Sequence, residues 1–141
     1  MGFGFGHQLV EHADLETLSG VTEAGHAEIP PAARQFDDYC ADGGYAVLRD
    51  LLDGSRSAND VLATLDDTAL RGLGGAGFPT GRKWRIVGGQ PGPRLMAVNG
   101  DEGEPGTFKD RLYLSTDPHR MIEGILIAAH VVDVETCFIY M

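Results

Sequence analysis

Cysteine is nearly absent from this chain of 141 residues, which carries only Cys40 and Cys137. Two thiols exclude a disulfide-rich scaffold and any four-cysteine cluster built from this chain alone. They fit a reduced, cytoplasmic setting. Positive charge is also scarce, with 11 Lys+Arg against 21 Asp+Glu and a formal net charge of −10. That balance argues against a nucleic-acid partner, because no wide face could neutralise phosphates. No apolar run approaches the ~18 residues of a membrane-spanning helix, so direct membrane insertion is not expected. The opening residues, MGFGFGHQLVEH, lack the charged-then-apolar pattern of a secretory signal. His7, His12, His26, His119 and His130 show no metal-ligand spacing with Cys, Asp or Glu. Ser19, Ser55, Ser57 and Ser115 sit in no nucleophile-elbow pattern. Neither a metalloenzyme nor a hydrolase is indicated.

What is present is globular: 43% hydrophobic and 23% charged residues, in a length suited to one ordinary domain. The charge is segregated. Residues 1–70 hold 3 Lys+Arg against 13 Asp+Glu, whereas residues 71–120 hold 8 against 5. Of the 20 glycines, 11 also fall in 71–120. A basic, glycine-dense segment suits a compact phosphorylated ligand: the charge attracts phosphate, and absent side chains let backbone N–H groups approach it.

Three regions follow. Residues 1–30 read as an irregular leader. Residues 31–70 read as a helical region, with Phe36, Tyr39 and Cys40, then Tyr45, Leu48, Leu51 and Leu52, at helical spacing around the Asp42-Gly43-Gly44 break. Asp53-Gly54-Ser55-Arg56 ends that helix, Ser57 offers a cap for the next, and Asp66-Asp67 is expected to cap a further short turn. In residues 71–141 the glycine loop is followed by a short helix over Arg82–Val87. The apolar run Leu95-Met96-Ala97-Val98 has the character of a fully buried strand. Asp117-Pro118 predicts an N-cap with proline at the first helical position, for a helix reaching about Val131. Thr136–Met141 reads as another strand. Strand, helix and strand at this spacing form a βαβ unit, so the fold class is α/β. The chain stops inside that strand, which predicts a truncated product or fragment.

Two loops could carry chemistry. Gly72-Leu73-Gly74-Gly75-Ala76-Gly77 satisfies G-x-G-x-x-G, but the residues before it look helical rather than extended, so the ordinary Rossmann context fails. The glycines can still form a backbone nest for phosphate, with Lys83, Arg82 and Arg85 beside it. Phe78 offers a flat surface, and Trp84 reads as core. After the predicted strand, Asn99, Asp101, Glu102 and Glu104 lie where ligands of open α/β sheets bind. Crowded carboxylates sharing one site are expected to show raised pKa values or to accept hydrogen bonds from ligand hydroxyls and amides. Pro105 with Gly100, Gly103 and Gly106 restricts the loop's shape.

The stretch Leu70–Trp84, LRGLGGAGFPTGRKW, resembles the glycine-rich signature of the NADH-binding flavoprotein subunit of respiratory complex I and its relatives. Asn99–Arg111, NGDEGEPGTFKDR, is similar to that family's second signature, and Asp117-Pro118-His119 with Ile122-Glu123-Gly124 matches the following helix. The resemblance covers roughly residues 44–141. Leu73, where complex I subunits usually carry Arg, points toward the flavoprotein (beta) subunit of NAD-dependent formate dehydrogenases.

The resemblance implies a Rossmann-like FMN-binding domain, truncated here, that exchanges a hydride between NAD(H) and FMN and trades electrons with iron–sulfur clusters. By position, Gly72, Gly74 and Lys83 would contact FMN. Asn99, Asp101 and Glu102 would hold its ribityl chain and flavin edge. Gly75, Ala76 and Phe78 would line the NAD(H) pocket, Phe78 stacking on adenine. Glu104 would hydrogen-bond the nicotinamide amide, leaving Glu102 and Glu104 as the catalytic candidates. Ile86 stands where a second aromatic is common. The family's iron–sulfur cysteines, ubiquitin-like domain and N-terminal extension are not expected within these 141 residues. Partners implied are NAD(H) and the iron–sulfur and catalytic subunits of a multi-subunit dehydrogenase. A rival reading keeps the motifs in a non-catalytic remnant or interaction module. The two loops are expected to converge on one pocket, and the chain alone to bind flavin weakly and to self-associate.

Overall fold

The computed structural model describes residues 2–3, 33–73 and 75–141. Its centre is a three-stranded parallel sheet in the order β1 (Gly2–Phe3), β2 (Leu95–Asn99), β3 (Thr136–Tyr140). The register runs from Leu95↔Thr136 to Asn99↔Tyr140, while Gly2 and Phe3 pair with Ala97 and Val98. The expected irregular leader is thus corrected at Gly2–Phe3, and the rest of residues 1–30 lies outside the described residues. Helix α6, Pro118–Val132, crosses from β2 to β3. This is the βαβ unit expected from the sequence, in an α/β fold.

The core sits on one face of the sheet. Met96 and Val98, each 2% exposed, cluster with Ile125, Ala128 and Val132 of α6 and with Trp84 of the preceding helix α4, Thr80–Gly88. Trp84 is therefore a core residue. The expected fully buried strand is corrected: β2 alternates, and Leu95 is 62% exposed. Continuous burial requires cover on both faces of a parallel strand, and among the described residues helices pack against one.

The acidic first half supplies α1 (Phe36–Ala41), α2 (Ala46–Asp53) and α3 (Ala58–Asp67). The first helix begins at Phe36 because Gln35 is still extended. Gly54 closes α2 in the left-handed conformation that glycine tolerates. Ser57 and Asp60 form a capping box, each side chain satisfying the other's backbone N–H. The expected short turn forms at Thr68-Ala69, but Asp66-Asp67 do not cap it, since α3 runs through both residues. Asp66 instead pairs with Arg85 of α4 at 2.6 Å. The two helices touch closely at Gly81, where an added Cβ would lie 3.2 Å from the Leu62 carbonyl oxygen.

One element was not visible in the sequence. Helix α5, Lys109–Thr116, occupies the stretch between the carboxylate loop and α6. It has no buried stripe to betray it. The expected Asp117 cap is also corrected: Pro118 opens α6, but the Asp117 side chain makes no capping bond. It pairs instead with Arg120 Nε at 2.9 Å. At the other end of α6, Arg94 Nε donates to the Asp133 carbonyl and its guanidinium pairs with the Asp133 carboxylate. That clamp ties the start of β2 to the turn before β3.

Candidate functional site

The glycine loop is a tight excursion between two helices. Its neck is closed by an antiparallel bridge between Arg71 and Pro79, where Gly72 N–H donates to the Phe78 carbonyl at 3.0 Å. Thr80 N–H reaches the Leu70 carbonyl at 2.8 Å. Helix α3 precedes the loop, so the failed Rossmann context is real. Gly75 and Gly77 have φ of +88° and +56°, and no atom of the described residues lies within 4 Å of a Cβ built on either. Arg71 Nη1 donates to the Gly77 carbonyl at 3.0 Å and braces the turn. Gly72, Gly75, Ala76 and Phe78 are exposed, and Gly74 lies outside the described residues. The Arg82 guanidinium stands 5.6 Å from the Phe78 ring centroid. Lys83 is half-buried in the first turn of α4, where helix amides already favour an anion.

The carboxylate loop starts where β2 ends. Asn99 Oδ1 accepts the Asp101 N–H at 3.1 Å, an Asx turn that bends the chain out of the strand. Asp101 and Glu104 are exposed. Glu102 behaves differently. Its Oε1 and Oε2 accept the backbone N–H groups of Asp110 and Arg111 at 3.0 and 3.2 Å, and Lys109 Nζ lies 3.8 Å away. Glu102 therefore caps α5 across the loop. Burial alone would push its pKa up, but the amides of residues 109–111 and the Lys109 charge outweigh burial and hold it below the ordinary value. The expectation of raised carboxylate pKa values is corrected at this residue.

Between the carboxyl ends of β2 and β3 lies a cavity of about 60 Å³, lined by Asn99, Gly100, Asp110, Tyr113, Arg120 and Met121 among others. Part of the carboxylate loop therefore opens onto a concavity at the place the topology favours. The residues lining it include none from Gly72–Lys83. Tyr113 and Arg120 were missed by sequence reasoning, because the unforeseen α5 carries one and the start of α6 the other. Among the described residues no helix is long and apolar enough to cross a membrane.

The family model described as the Nuo51 FMN-binding domain matches residues 65–141, from the end of α3 through both loops to β3. The chain belongs to this family. Similar curated proteins agree with that placement. An NADH-quinone oxidoreductase subunit of Aquifex aeolicus is 44% identical over 111 residues, covering 79% of this chain and 26% of that protein. Its counterpart in Rhizobium meliloti, also an NADH-quinone oxidoreductase subunit, is 43% identical over 112 residues, again covering 79% and 26%. The chain thus spans about a quarter of the length of these relatives. Among solved structures, an NAD+-reducing [NiFe]-hydrogenase in its H2-reduced state superposes with a TM-score of 0.56 at 40% identity. That match covers 61% of this chain and 15% of the hydrogenase chain.

Proposed function

We propose that residues 71–141 form part of an FMN- and NAD(H)-binding site in the flavoprotein subunit of a multi-subunit, cytoplasmic dehydrogenase, formate being one candidate donor. The observation that carries this reading is the open glycine loop, left-handed at Gly75 and Gly77, leading directly into a helix whose first turn bears Arg82 and Lys83.

The residues present fit the cofactor. Gly72, Gly74 and Lys83 would contact FMN, the lysine supplying positive charge for its phosphate. Asn99, Asp101 and Glu102 would hold the ribityl hydroxyls and flavin edge. Glu102 can do so while capping α5, because a carboxylate has more acceptor sites than its two amide bonds use. Gly75, Ala76 and Phe78 would line the NAD(H) pocket, the exposed Phe78 ring stacking on adenine. Glu104 would accept a hydrogen bond from the nicotinamide amide and orient the ring. Bound there, FMN supplies hydride exchange with NAD(H) and single-electron exchange with iron–sulfur clusters of partner subunits. Because the cavity beside Asn99 measures only about 60 Å³ and draws no lining residue from Gly72–Lys83, few contacts would offset the entropy of ordering the ligand. The chain alone would therefore bind FMN weakly and oxidise no NADH.

The test is a segment exchange. Residues 65–141 replace the matching segment of a full-length NADH-quinone oxidoreductase subunit of the same family. Retained flavin, with NADH oxidation by an artificial one-electron acceptor, is the expected result. A folded hybrid without flavin would overturn the reading.

A further inference from the structure

The start of α6 has two working sides. His119 and Glu123, four residues apart, lie on one face. Both receive a tyrosine from the acidic first half: the Tyr45 hydroxyl lies 3.0 Å from His119 Nδ1, and the Tyr39 hydroxyl donates to Glu123 Oε2. The rings of Phe36, Tyr39, Tyr45 and His119 pack with centroids 5.3 to 6.0 Å apart. The Arg34 guanidinium covers Tyr39 at 5.1 Å. Burial and the Glu123 carboxylate push the Tyr39 phenol well above the ordinary range, so it stays a donor. On the other side of the same helical turn, Arg120 and Met121 line the cavity with Asn99 and Gly100.

The cluster holds the chain in a costly conformation. Tyr45 is left-handed, with φ of 60°, and caps no amide. A Cβ on Gly44 would fall 2.1 Å from the Tyr39 ring, so only glycine lets that ring through. Strain of this kind persists where surrounding contacts over-determine it. Here those contacts are two directed hydroxyl bonds onto one helical face.

We propose that Tyr39, Tyr45, His119 and Glu123 form a positioning clasp, in which the acidic helical region sets the start of α6 so that Arg120 and Met121 are held against Asn99 and Gly100. The relevance of the clasp to nucleotide binding rests on the function proposed above; the clasp itself does not.

The experiment labels the methionine methyls of the 141-residue chain with 13C. Met121 lines the cavity, and Met96, buried in the core of the same sheet, serves as internal control. Tyr45→Phe and His119→Ala should each displace the Met121 methyl resonance and leave Met96 in place. His119→Asn, whose amide can meet the Tyr45 hydroxyl where Nδ1 does, should restore the Met121 position. A Met121 resonance unmoved in both variants would overturn the clasp. So would Met96 and Met121 moving together, as general loosening demands. Flavin retention by the full-length hybrid described above tests the nucleotide reading separately. If the variants shift Met121 but the folded hybrid holds no flavin, the nucleotide reading fails and the clasp stands.

Discussion

Glu102 shows how one side chain can be pulled into two roles. Its position in the motif marks it for a ligand, while the fold uses both its oxygens to cap α5. Because its folded pKa lies below the ordinary value of 4.5, its contribution to stability is present above that value. It is lost as pH falls below it toward the folded pKa. Glu102→Gln should therefore flatten the acid side of the stability profile, read as urea midpoints from acid to neutral pH. An unchanged slope would mean the cap carries no linkage. Among the described residues Glu104 makes no such internal bond with its carboxylate, and its carbonyl accepts from Thr107. In a full-length flavoprotein subunit, Glu104→Ala should thus impair NADH use more than FMN retention, since a lost ligand hydrogen bond costs ~1–3 kcal/mol. Flavin lost with unchanged turnover per remaining flavin would reassign the residue.

Elements in this chain are set by local chemistry of unequal strength. α3 carries a complete capping box, so Ser57→Ala should cost about 1 kcal/mol of stability, measured by chemical denaturation. Where helices meet, the constraint is spatial. Gly81→Ala places a methyl against Asp66 and the Leu62 carbonyl, which should shift Asp66 off Arg85 and destabilise by ~1–3 kcal/mol. If the substitution is neutral, α3 and α4 pack less tightly than this contact implies. α5 stands at the opposite extreme, with an external carboxylate for its cap and no buried stripe.

Among the described residues, helices cover the sheet on one side. Leu95, Phe138 and Tyr140 share the other face by register, and are 62%, 58% and 64% exposed. An apolar face beside an edge strand invites pairing with another chain. Sedimentation velocity should show concentration-dependent association, reduced by Phe138→Glu. A monomer at every concentration would show that the face is less adhesive than its composition implies.

Sequence alone determined the pieces whose cause is local. The Gly54 stop, the Ser57 cap, the βαβ unit from Leu95 to Tyr140 and both loop motifs were legible because each depends on spacing within a few residues. So was Trp84 as core, though not its Nε1, which finds no hydrogen-bond partner among the described residues. Only the tertiary structure decided the rest. Which face of β2 is buried depends on where helices land, and α5 depends on a carboxylate eight residues before its first bonded amide. The tyrosine clasp joins residues 74 and 84 positions apart, a separation no periodicity spans. Local patterns specify elements, but partners for polar side chains are assigned only when the chain closes on itself.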